Sequence, residues 1–267
     1  MVIPDFTITC IGAAATLCFA LPFLVLIAYK KNTRAPLRPF VYGIVVFLSF
    51  AMALEQILHT LVLGFDHPLS RLLQSSPWAY AIYGGLAAGL FEETGRFVAF
   101  RILKKETEKV SDTTPIMYGI GHAGAETILV GAISLFNTMI MATTINTMGV
   151  DAILADAGEL APTIQATIDG FASTAPYMYF ISALERCIAF VLQIALSVLV
   201  YCSVMYPGAK KLFPVAILLH LLIDVLAGFY QTGMITNVYL LEGILLIYTL
   251  AVAFYARGVY QRCTTQK

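Results

Sequence analysis

The sequence predicts an all-α fold: a polytopic membrane helical bundle of about seven transmembrane helices, N-terminus outside and C-terminus inside. Three observations predict it. Of 267 residues, 59% are hydrophobic and only 12% are charged, against about 45–50% and about 25% in a soluble domain. Apolar stretches of about 20 residues recur from end to end, the length needed to cross a hydrocarbon core of about 30 Å. The basic residues fall on alternate sides of those stretches, as the positive-inside bias requires. The chain reads as one integral membrane domain over 1–267, with the motif-bearing helices at about 78–230.

The expected spans are 4–29, 39–63, 78–103, 115–141, 178–205, 210–230 and 236–257. None alternates polar and apolar residues, so a barrel is excluded and helices must satisfy the backbone within the bilayer. The first run has no basic residues before it and reads as a spanning helix, not as a cleaved leader. Lys30, Lys31, Arg34 and Arg38 follow it. Arg101, Lys104, Lys105 and Lys109 follow the third run, Lys210 and Lys211 the fifth, and Arg257, Arg262 and Lys267 the seventh. The opposite connections hold only Arg71. The long outer connection, 142–177, has no Lys or Arg but carries Asp151, Asp156, Glu159 and Asp169. Val150, Ile153, Leu154, Ala157, Ile164 and Ile168 recur there at helical spacing. Either an amphipathic helix covering the bundle or an ordinary surface loop fits that pattern.

Balanced charge, with 16 basic and 16 acidic residues, argues against a nucleic-acid partner. Cys10, Cys18, Cys187, Cys202 and Cys263 form no CxxC pair and read as small apolar side chains. Trp78, Tyr80, Tyr177 and Tyr179 stand near run starts, as an interfacial belt does. Pro207 and Gly208 mark a tight turn.

What interrupts the apolar runs carries the chemistry. The third holds Glu92, Glu93 and Arg96, the fourth His122 and Glu126, the fifth Glu185 and Arg186, and the sixth His220 and Asp224. Glu92 with Arg96, His122 with Glu126, and His220 with Asp224 are four residues apart and so share a helix face. Seven formally charged groups left alone in lipid would cost on the order of 15–20 kcal/mol, more than a typical fold's whole stability of about 5–15 kcal/mol. They must therefore converge. Gly85, Gly89, Gly95, Gly119, Gly121, Gly124 and Ala183 lie near them and permit close helix approach. Five carboxylates against two arginines leave an excess of about three negative charges. Either some carboxyls stay protonated or a divalent cation binds. Imidazole with carboxylate suits zinc, with a position left for water. The HExxH, GxSxG and phosphate-loop patterns are absent. Glu55 with His59, and Glu242, read as structural pairing groups.

These motifs resemble the YhfC family of intramembrane metallopeptidases, in a superfamily with the CAAX-processing endoproteases and the PrsW protease. The strings that carry the resemblance are Glu92-Glu93-Thr94-Gly95-Arg96, Gly121-His122 with Glu126, Glu185-Arg186, and His220 with Asp224, over roughly 80–230. The resemblance implies a glutamate, Glu92 or Glu93, that activates water, with Arg96 orienting it. It implies His122 and His220 as metal ligands or oxyanion-stabilising groups, and, with Asp224, a metal-binding set, zinc in the simplest case. Asp224 stands where the CAAX enzymes carry Asn. It adds Glu126, Glu185 and Arg186 as further site residues of the YhfC branch. The expected activity is hydrolysis of a peptide bond in a membrane-protein or peptide substrate, near the inner half of a bacterial plasma membrane. Two other readings of the polar set are a non-catalytic scaffold or immunity-type protein and a proton- or ion-coupled transporter. No internal repeat supports the latter.

Overall fold

The computed structural model describes residues 1–106 and 112–265, and every described element is a helix or a turn. Lys109 and Lys267, two of the residues used for orientation, lie outside the described residues. The long helices are α1 (Asp5–Thr33), α2 (Arg38–Leu63), α4 (Pro77–Glu106), α5 (Thr114–Met148), α8 (Met178–Met205), α9 (Leu212–Gln231) and α10 (Val238–Thr265). Between them lie the short helices α3 (Pro68–Ser75), α6 (Val150–Asp156) and α7 (Ala161–Ser173). Among the described residues, six are long and apolar enough to cross a membrane: α1, α2, α5, α8, α9 with its preceding turn, and α10. The protein is thus an all-α, multi-pass membrane bundle. α4 is equally long, with 30 residues, but Glu92, Glu93 and Arg96 interrupt its apolar run.

Proline sets several helix starts. Pro39, Pro68 and Pro162 occupy the first turns of α2, α3 and α7, where a missing N–H costs nothing and φ is already helical. His67 caps α3, its ring nitrogen accepting from Ser70 N at 3.2 Å. Pro207–Ala209 forms the tight turn before α9, as the sequence suggests. Gly149, at φ 81°, separates α5 from α6, a conformation that costs a residue with a Cβ dearly.

The chain forms two compact units. One comprises Met1–Phe23 and Glu126–Cys187, the other Leu24–Ala125 and Ile188–Lys267. In the first, Ile11, Ala14, Ala15, Cys18, Ala132, Ala142 and Ile145 make a core of small side chains. Within the connection read as 142–177, α6 and α7 form two short helices with a break near Gly158. Ile168 and Phe171 of α7 are buried in that core, while Val150, Ile153, Leu154 and Ile164 pack against it half-buried. Asn146 ties the N-terminus down, accepting from Ile3 N at 2.7 Å and donating to Ile3 O at 2.8 Å.

In the second unit, α4 packs most extensively on α9 and also on α2, and α9 packs on α10. The α4–α9 contact depends on glycine: a Cβ on Gly85 would lie 2.6 Å from Leu221 O. The α2–α5 crossing is tighter, since a Cβ on Gly121 would lie 2.0 Å from Phe40 O. These crossings bring the backbones that carry Glu92, Glu93, His122 and His220 together. Both α2 and α5 also contain a π-helical stretch, Phe47–Glu55 and Thr127–Ala132. Such widenings are frequent at functional sites.

Candidate functional site

Glu92, Glu93 and Arg96 sit one turn apart on α4, so a single guanidinium reaches both carboxylates. Arg96 Nη1 pairs with Glu93 Oε1, and Nη2 donates to Glu92 Oε2 at 3.2 Å. Each glutamate then meets a histidine from another helix. His122 Nε2, from α5, lies 2.8 Å from Glu92 Oε2. His220 Nδ1, from α9, lies 2.7 Å from Glu93 Oε1. One turn along α9, Asp224 Oδ2 is 3.4 Å from His220 Nε2. The result is an unbroken chain of polar contacts, His122–Glu92–Arg96–Glu93–His220–Asp224, within the second unit.

Burial makes this chain unusual. Glu92, Glu93, Arg96, His122 and His220 are all buried. Asp224 is the most open member, with its side chain 33% exposed, followed by Glu92 at 9%, while Glu93 is at 0%. The polar groups therefore grade from a closed floor at Glu93 to an accessible side at Asp224 and Glu92.

The hydrogen-bond directions follow from the chemistry. A carboxylate only accepts, so each histidine donates to its glutamate. The other ring nitrogen of His122, Nδ1, is buried without a hydrogen-bond partner. That of His220, Nε2, faces the Asp224 carboxylate at 3.4 Å. Glu93 Oε2 is likewise buried with no hydrogen bond. A carboxylate behind an imidazole, fixing its tautomer and raising its basicity, is the usual support of a metal-binding histidine. The charge count agrees. Glu92, Glu93 and Asp224 face one arginine, leaving two negative charges if both histidines are neutral. The donor chemistry and this excess suggest a divalent metal.

Sequence reasoning missed three neighbours. Gln193 of α8 accepts from Arg96 Nη2 and donates to Glu92 Oε2 at 3.2 Å. It stands seven residues after Arg186, on the same face of an otherwise apolar helix, and that spacing was the available signal. Tyr118, one turn before His122, stacks on its ring at 6.0 Å between centroids. Phe47, where the π-helical stretch of α2 begins, meets the ring edge-on at 5.2 Å.

Glu126, Glu185 and Arg186 pair with one another in the first unit. Arg186 Nη1 donates to Glu126 Oε1 at 3.3 Å, and its Nη2 pairs with Glu185. All three are half-buried. The bland reading of Glu55 and His59 matches their geometry: His59 Nε2 lies 3.2 Å from Glu55, and Nδ1 lies 2.9 Å from Tyr83 OH.

The family model for the YhfC intramembrane metalloprotease matches residues 17–245. The chain belongs to that family. It is also 31% identical over 228 residues to the uncharacterized membrane protein YhfC of Bacillus subtilis (strain 168), covering 85% of this chain and 86% of that protein. No solved structure matches. The family match takes in α2 and part of α10 as well as the motif-bearing helices, a longer stretch than the polar strings alone mark. The YhfC name suggests a metal-dependent peptidase in the membrane.

Proposed function

We propose that the protein is an intramembrane metallopeptidase that hydrolyses a peptide bond of a membrane-embedded substrate, with Glu92 as the base. The observation that carries this reading is the pair of carboxylate-backed histidines, Glu92–His122 and Glu93–His220, four buried side chains on three helices. A packing role alone would not require two buried imidazoles each held by a carboxylate.

Roles divide by geometry. Glu92 Oε2 accepts from Arg96, His122 and Gln193, which fixes the carboxylate. Its Oε1 makes no hydrogen bond among the described residues and can take a proton from water. Glu93 is fully buried and bound to Arg96 and His220, so it orients and does not exchange protons with water. Arg96 holds the two carboxylates in place. His122, His220 and Asp224 would hold the metal, zinc being the simplest match to imidazole and carboxylate donors. When bound, a zinc ion supplies Lewis acidity toward the substrate carbonyl and lowers the pKa of water. Glu126, Glu185 and Arg186, further site residues by the family resemblance, would hold one another in place through their shared ion pairs.

The test needs no known substrate. Elemental mass spectrometry of the detergent-purified protein should find about one divalent metal per chain, lost in His122→Ala and His220→Ala while both remain monodisperse. Metal retained in both variants would sink this ligand set. Glu92→Gln should keep the metal and lose cleavage of a fluorogenic transmembrane peptide library.

A further inference from the structure

We propose that a groove at one end of the second unit is a binding site for the phosphate headgroup of an anionic phospholipid. The groove, about 580 Å³, lies between the last turns of α4 and α8 and the first turn of α9. Its rim carries Arg101, Lys104, Lys105 and Lys210, and its wall carries Phe97 and Phe213. No carboxylate among the described residues lines it. None of the four cations is in an ion pair with a carboxylate among the described residues. Four positive charges on one concave surface repel one another, and an anion there relieves that repulsion.

Position identifies the anion. All three helix ends are where apolar runs give way to charge, as at a lipid–water boundary. The aromatic wall is preformed: Phe97 and Phe213 pack with centroids 4.7 Å apart, and the Arg101 guanidinium lies 5.6 Å from the Phe97 centroid. Lys104 Nζ donates to Val204 O at 2.7 Å, satisfying a late carbonyl of α8 and holding that cation at the rim. A headgroup needs this combination: cations for the phosphate and an apolar wall for the glycerol and upper acyl chain. Basic pockets between membrane helices commonly take anionic headgroups. A free phosphate would use the cations and leave the aromatic wall unused. The groove shares no residue with the buried histidine–glutamate chain, so this inference stands apart from the peptidase reading.

Native mass spectrometry of the delipidated full chain tests it, by titration with phosphatidylglycerol or with phosphatidylcholine of the same acyl chains. One phosphatidylglycerol should bind in preference to phosphatidylcholine, and an excess of inorganic phosphate should not displace it. Arg101→Gln with Lys210→Gln should weaken that binding roughly tenfold or more, at about fivefold per cation. Lys30→Gln with Lys31→Gln, cations outside the groove, should leave it unchanged. All four side chains are exposed, and the single Lys210→Gln variant gives the same reading if the pair does not purify. Equal binding of both lipids, displacement by phosphate, or an unchanged affinity in the groove variants would overturn the proposal.

Discussion

Replacing Arg96 with Met tests whether the buried polar chain is one unit. Methionine fills much of the same volume but removes the cation that joins Glu92 to Glu93. Two buried carboxylates then face each other with only His122, His220 and Gln193 for relief. Breaking a buried charge pair on one side typically costs about 3–5 kcal/mol, a large share of a stability of about 5–15 kcal/mol. At about 2–4 °C per kcal/mol for a chain of this size, the apparent melting temperature in detergent should fall by about 6–20 °C. Fluorescence-detected size exclusion after heating would measure it. Arg96→Lys should recover only part, because one ammonium cannot span both carboxylates as the planar fork does. Adding Glu93→Gln to Arg96→Met removes one orphaned charge and should restore stability relative to Arg96→Met alone, with a coupling of about 0.5–3 kcal/mol. Strictly additive effects, or a melting temperature unchanged by Arg96→Met, would refute the idea of a coupled cluster.

Gly121→Ala should destabilise the protein by about 1–3 kcal/mol, because its Cβ would meet the Phe40 carbonyl at 2.0 Å; metal content measured on the same sample should fall, since His122 is the next residue. Gln193→Leu strips one donor from Glu92 and one acceptor from Arg96, and should cost about 1–3 kcal/mol by thermal melting, whereas Gln193→Glu should raise the demand for a cation and increase metal retained through dialysis. Tyr248→Phe removes the bond to Leu219 O at 2.7 Å, beside His220, and should lower stability by only about 0.5–1.5 kcal/mol while leaving metal content intact.

The helices and the polar positions were legible because their signals are local. An apolar run of sufficient length has one solution in a bilayer, and a charge in that run stands out whatever its partner. Glu92 with Arg96, and His220 with Asp224, pair at the four-residue spacing that the sequence displays. His122 and Glu126 share the same spacing, yet His122 turns to Glu92 and Glu126 pairs with Arg186. Helix rotation and crossing decide such choices, and they depend on where Gly43, Gly85 and Gly121 let backbones touch. Gln193 escaped notice because a neutral amide carries no charge to account for. The π-helical stretches left no compositional mark, since Phe47–Glu55 and Thr127–Ala132 are as apolar as their flanks. The 142–177 connection shows a third kind of limit: its apolar spacing is visible, but that spacing does not mark the break near Gly158 between α6 and α7.

The two arginine clusters face the same electrostatic problem with different resources. Around Arg186, two carboxylates share one guanidinium, and every side chain is 14–27% exposed, so water can screen the single excess charge. Around Arg96, Glu92 and Glu93 share one guanidinium, Asp224 adds a third carboxylate beyond His220, and only Asp224 is appreciably open. Screening there is weak, because Coulomb energies scale inversely with a dielectric that falls several-fold on burial. Two positive charges must come from somewhere. Protonated His220 would find acceptors on both sides, in Glu93 and Asp224, whereas a protonated His122 Nδ1 would be a buried donor without an acceptor. A divalent cation would supply the same charge and use the His122 Nδ1 lone pair. On the metallopeptidase reading, the free energy of binding that cation would be part of what holds α4, α5 and α9 together.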